Sequence, residues 1–225
     1  MDAENRHMDS VVAAEPLQPL AKAVFGLEQL YTVLNGFALT SAVDPIAREW
    51  LDPERPFPTA HVLLLAGLLA TLIPFTHGAW QHLKVTHLEP TQPRNTSGVF
   101  LVDYLLLMIE GLLFIFLAFA VPVTSRFLQL TMLLFAVDVL FVVGTYASLR
   151  KRGFVRELVA VARWGLLNVL FFGVIGPLWW FRDEPWAPWV LMMALVIRTC
   201  IDYGWNWDYY FPPRLNEGPR PVVLP

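Results

Sequence analysis

A single cysteine, Cys200, leaves no internal disulfide to form, so thiol pairing says nothing about compartment. Charge is scarce as well: 16% of the residues are Asp, Glu, Lys or Arg, against about 25% in soluble domains. The net charge is −3, and no basic run with interleaved aromatics occurs outside the loops between apolar segments, so no nucleic-acid partner is expected. GxSxG, HExxH, CxxC and Walker patterns do not occur, which argues against familiar soluble-type catalysis. The opening MDAENRHMDS is acidic and has no positive stretch before an apolar core, so a cleavable secretory signal is not expected.

What is abundant is apolar side chain. The chain is 56% hydrophobic with a mean hydropathy of +0.51, and the excess is gathered into runs of the length one bilayer crossing needs, about 20 residues. Six such runs predict an all-α integral membrane protein, a bundle of six transmembrane helices over about 21–43, 59–80, 99–121, 127–149, 158–181 and 186–205. The membrane domain covers 21–211, ending in an interfacial aromatic segment after residue 205. Residues 1–20 read as an N-terminal tail and 212–225 as a proline-rich C-terminal tail. Between the helices lie a loop over 44–58, a long loop over 81–98 and a basic loop over 150–156.

Orientation follows from the basic residues, which favour the cytoplasmic side of short loops. Six crossings place the two tails and the 81–98 and 150–156 loops together, with eleven Lys and Arg, against four on the opposite side; Arg198 is the remaining one of 16. Both termini are therefore expected in the cytoplasm. The nine tryptophans fall at helix ends or in adjoining segments, as aromatic belts at both interfaces would require.

Polar residues inside these helices are the candidates for function, because an ionisable group in a bilayer is costly and needs a partner or a purpose. Arg198 lies within the sixth helix, with Asp202 one turn later. Glu28, Tyr31, Thr32 and Asn35 share one face of the first helix, Asp103 and Glu110 one face of the third, and Asp138 and Asn168 lie at mid-membrane depth. At 1.5 Å of rise per residue these groups collect in the cytoplasmic half. They predict an acidic polar cavity lined by Glu28, Asn35, Asp103, Glu110, Asp138, Asn168, Arg198 and Asp202; the rival reading is that they only pair with one another and fix packing. Arg198 offers five donors, more than Asp202 alone can use, so a second acceptor is expected from Glu28, or else Asp103. Gly165, Asn168 and Gly176 share an arc that predicts close packing of the fifth helix.

His61 and His77 both lie on the second helix, about 24 Å apart along it, so a bis-histidine haem is not expected. A zinc-like site from His77, His82 and Asp103, with His87 as a further ligand, is geometrically open but matches no strong motif. The segment from Arg198 to Pro212 reads RTxxDYxxNWxxYFP. In it the chain resembles small bacterial inner-membrane proteins that end similarly, which implies a multi-pass protein of that membrane and no particular activity. The reading that fits best is a transport or channel-type protein, with no catalytic residue assigned. Its alternatives are a non-catalytic membrane subunit docking a cytoplasmic protein, and an intramembrane enzyme acting on lipid. The lipid bilayer is the expected partner, with a homo-oligomer or a cytoplasmic protein as further ones.

Overall fold

The computed structural model describes residues 17–54, 56–88, 97–152 and 155–211. Among these the chain is helical, with no strand. Six long helices run back and forth: α1 (Leu17–Trp50), α2 (Thr59–Leu83), α3 (Ser97–Ala120), α4 (Thr124–Arg152), α5 (Val155–Ile175) and α6 (Ala187–Trp205). A π-helical turn, Lys84–Leu88, extends α2, and a 3-10 turn, Gly176–Phe181, extends α5. A one-turn helix, α7 (Trp207–Tyr210), follows α6.

The helices α2 to α6 are long and apolar enough to cross a bilayer, over Thr59–Leu88, Gly98–Ala120, Thr124–Ala147, Leu158–Phe181 and Ala187–Trp205. Their outward faces carry Phe116, Phe119, Leu140, Val169 and Met193 exposed, as lipid-facing surfaces do, since lipid tails are as apolar as the side chains. The chain is a multi-pass membrane protein.

The first helix departs from expectation. It spans 34 residues, about 50 Å at 1.5 Å per residue, yet it is not apolar enough to count among the membrane-crossing helices. Its bounds are also wider than the 21–43 expected. Pro45 lies inside it, where one backbone hydrogen bond is forfeited; beyond it Asp44 and Arg48 pair across one turn at 2.9 Å, and Glu49 Oε2 meets His61 Nδ1 of α2 at 2.7 Å. The loop over 44–58 is correspondingly shorter. In the same way the loop expected over 81–98 is helical as far as Leu88, because Leu83 is fully buried and carries the chain on against α1 and α3; residues 89–96 lie outside the described ones. The basic loop shrinks too, with α4 reaching Arg152 and α5 starting at Val155. Of the tails, 1–16 and 212–225 lie outside the described residues.

Packing puts α1 alongside α3 for the length of α3, and α1 continues past it to Trp50. At one end Val24 and Leu27 pack with Leu83 and Leu107, near Phe100 and Tyr104. Midway, a Cβ on Gly111 would lie 2.7 Å from Leu34 Cδ1, so a larger residue there would have to displace the Leu34 side chain. At the far end Phe37 and Phe119 meet edge to face, 6.4 Å apart. Helices α4 and α5 approach equally closely, a Cβ on Gly165 falling 2.5 Å from Val142 Cγ1.

Helix α2 contains Pro74, which cannot donate to the carbonyl of Ala70. Thr199 Oγ1 of α6 donates to that carbonyl instead. The gap that Pro74 leaves in the α2 ladder is thereby filled beside Arg198.

Candidate functional site

One hydrogen-bonded row links α3, α4, α5 and α6 through the middle of the bundle. The Glu110 carboxyl lies against that of Asp138, with Tyr31 beside it. Asp138 Oδ2 accepts from Asn168 Nδ2, and Asn168 Oδ1 accepts from Arg198 Nε at 2.9 Å and Nη2 at 2.6 Å. An amide donates with its NH2 and accepts with its oxygen, so the carboxylate on one side and the guanidinium on the other fix which way Asn168 points. Arg198 Nη1 lies 3.9 Å from Asp202 Oδ2 and has no hydrogen-bond partner. The guanidinium carbon sits 5.1 Å from the ring centres of both Phe75 and Phe135, a cation–π sandwich that offsets part of its dehydration. Arg198 and Asp202 are each 2% exposed and Asn168 is fully buried.

Asp202 is held from the other side. Asn206 Nδ2 donates to its Oδ1 at 2.8 Å and the Tyr210 hydroxyl to its Oδ2 at 3.0 Å. Trp164 Nε1 donates in turn to the Tyr210 oxygen at 3.1 Å, while Gln81 donates to the Tyr210 carbonyl at 2.8 Å. Burial and the Asp202 carboxylate push the Tyr210 hydroxyl above the ordinary tyrosine value. The interfacial aromatic segment thus folds back as α7, with Tyr209 and Tyr210 buried against Trp164.

Glu110, Asp138, Arg198, Asp202, His82 and Tyr210 line a common cavity of about 40 Å³. A water needs roughly 10–15 Å³ by this measure, so the space suits a few waters or one small ion.

The other expected site residues are elsewhere. Asp103 forms a separate cluster with two histidines: its Oδ2 lies 2.8 Å from His87 Nε2 and 3.3 Å from His82 Nε2. Asn35 is buried and donates to Thr76 Oγ1 at 2.8 Å, beside the row rather than in it. Glu28 lies in an open groove with Trp80 and Lys84, not in the cavity. It does not reach Arg198, and neither does Asp103; the second acceptor is Asn168 instead. His77 is apart from His82 and Asp103, packed against Tyr203, Tyr210 and Phe211 with its Nδ1 3.3 Å from the Tyr203 hydroxyl. Among the described residues no group of three His, Cys, Asp or Glu is arranged to hold a metal ion, so the zinc-like set is not assembled. Sequence reasoning placed His87 beside His82 and Asp103 but in a loop, and it missed Tyr210 and Trp164, whose residue types have an ordinary role at interfaces.

Comparison of this chain with protein-family models, with curated proteins and with solved structures found no match.

Proposed function

We propose that this protein moves protons or small monovalent cations across the membrane, with the Glu110–Asp138 pair as the binding point. One observation carries the reading: three carboxyl groups, Glu110, Asp138 and Asp202, face one guanidinium, Arg198, around a cavity with room for a few waters. If all three ionised, the cluster would hold two uncompensated negative charges in a low-dielectric interior. Such a cluster takes up protons or a cation to approach neutrality. Two carboxyl groups in hydrogen-bond contact share a proton or hold a cation between them. The cavity size weighs against an organic solute in this conformation. A cluster serving packing alone would satisfy all its donors, yet Arg198 Nη1 has no hydrogen-bond partner.

The proposal includes six crossings, with α1 as the sixth and both termini cytoplasmic, in a bacterial inner membrane. The course of α1 along the whole of α3 supports this, because a bilayer spanned by α3 also surrounds α1.

The test is flux. Purified protein in liposomes, under an imposed pH, Na⁺ or K⁺ gradient, should dissipate one of these faster than empty liposomes. Glu110→Gln and Asp138→Asn should each slow that rate at least about tenfold, the effect expected when a binding group loses about 1.4 kcal/mol of interaction. No flux above empty liposomes for any of the three ions, or wild-type flux in both variants, overturns the reading.

A further inference from the structure

We propose that His82, Asp103 and His87 form a second proton-holding station, which exchanges protons with the central cavity through His82. The proposal rests on the function above and extends it to a particular set of residues.

The argument begins with the backbone. His82 and His87 are five residues apart, and on a regular α-helix such residues point about 140° away from each other. The turn Lys84–Leu88 is π-helical, closing i to i+5. That turn brings both imidazoles to a single oxygen, Asp103 Oδ2, at 2.8 and 3.3 Å. A π-helical turn is rare and often found at functional sites; here its effect is to gather three titratable groups. The His87 side chain is fully buried, and those of His82 and Asp103 are 6% and 5% exposed. His87 Nδ1 and His82 Nε2 have no hydrogen-bond partner, and Thr86 Oγ1 lies 3.3 Å from His82 Nδ1.

An ionised carboxylate between two neutral imidazoles is a buried net negative charge. One added proton, on either ring, neutralises the set, and Asp103 faces the imidazolium in both arrangements. Moving that proton from His82 to His87 breaks an N–H bond on the first ring and forms one on the second, with Asp103 Oδ2 as the shared acceptor. The charge of the set does not change. His82 also lines the central cavity, so one ring faces the acid cluster while the other lies further along the π-helical turn. Across the cavity the triad meets Glu110, Asp138, Arg198, Asp202 and Tyr210. Around its own turn lie Lys84 of the same element, Tyr31 and Glu28 of α1 and Tyr104 of α3, while His77 of α2 packs apart against Tyr203 and Tyr210.

The experiment uses the full chain with ¹⁵N-labelled histidine in lipid nanodiscs, its imidazole resonances followed with pH and assigned from His82→Gln and His87→Gln. The expected result is that His82 and His87 change together, and that Glu110→Gln moves the His82 transition to lower pH while leaving His61 in place. His61 serves as the internal control because it pairs with Glu49 at the opposite end. Asp103→Asn should uncouple the two rings in a chain that keeps its other transitions. Independent titration of the two rings, or a His82 transition untouched by Glu110→Gln, overturns the station even if wild-type protein conducts ions. Coupled rings in a protein that conducts none uphold it while the transport reading falls. Stoichiometric metal in the purified protein, lost in His87→Gln, overturns it as well.

Discussion

Arg198 could be recognised from the sequence as the residue most in need of explanation, but its partner could not. An arginine in mid-helix costs about 2.5–3.5 kcal/mol to insert, and periodicity gives depth along a helix without saying which neighbours share a face. Glu28 and Asp103 were at the right depth and on other helices; Asn168, a neutral residue, is the acceptor. The row makes the coupling measurable. Arg198→Ala leaves Asp138 and Asp202 without their cation and should lower stability in detergent by about 3–5 kcal/mol. Combining it with Asn168→Ala should depart from additivity by about 0.5–3 kcal/mol; strict additivity in thermal melting would mean that the two do not interact. Tyr210→Phe removes a donor from a buried carboxylate and should cost about 1–3 kcal/mol. Tyr210 also carries a pH signature. Its hydroxyl holds its proton more tightly folded than unfolded, so its contribution is complete below the unfolded value near 10 and is lost as the pH rises above it. Melting of the wild type should therefore fall more steeply above pH 10 than melting of Tyr210→Phe.

At the scale of the element, the five apolar helices were legible because 20-residue apolar runs have few other uses. Their continuations were not. The π-helical turn after α2 depends on Leu83 finding its place between α1 and α3, and that contact is between segments far apart in sequence. The backbone at Pro74 is a clearer case of one element completing another. Thr199→Val should leave the Ala70 carbonyl without a donor in a dry interior, at about 1–3 kcal/mol. Pro74→Ala restores a backbone N–H to that carbonyl. The double variant is therefore expected to melt above Thr199→Val alone, and a double variant melting no higher would show that the hydroxyl does not complete the α2 backbone. Close approach gives a further expectation: Gly165→Ala clashes with Val142, so Val142→Ala should recover much of what Gly165→Ala loses.

For the whole molecule, the class and the crossing segments were readable, whereas the clustering of the polar residues was not. Eight candidates were expected around one cavity; the fold gathers Glu110, Asp138, Asn168, Arg198 and Asp202, and sends Asp103 to two histidines and Glu28 to an open groove. Spacing along single helices cannot distinguish these outcomes, because each depends on how neighbouring helices rotate about their axes. Topology can be measured directly. In a Cys200→Ser background, a membrane-impermeant thiol reagent added outside should label Arg55→Cys and spare Arg152→Cys and Ser10→Cys. Label on Ser10→Cys with Arg152→Cys protected would place α1 on the outer surface; label on Arg152→Cys and Ser10→Cys with Arg55→Cys protected would invert the protein.

The course of α1 has a consequence for how the chain is made. A helix that accompanies α3 from end to end, yet carries too little apolar surface to qualify as a crossing segment by itself, has weak reason to leave the translocon when it first emerges from the ribosome. Its buried face, Tyr31, Asn35, Ala38 and Ala42, is matched by α2 and α3, which are synthesised later. Nascent chains cut off after residue 55 should therefore remain extractable from membranes by alkali, and chains cut off after residue 123 should resist it. Integration of the protein would begin with its second hairpin and reach back for its first helix.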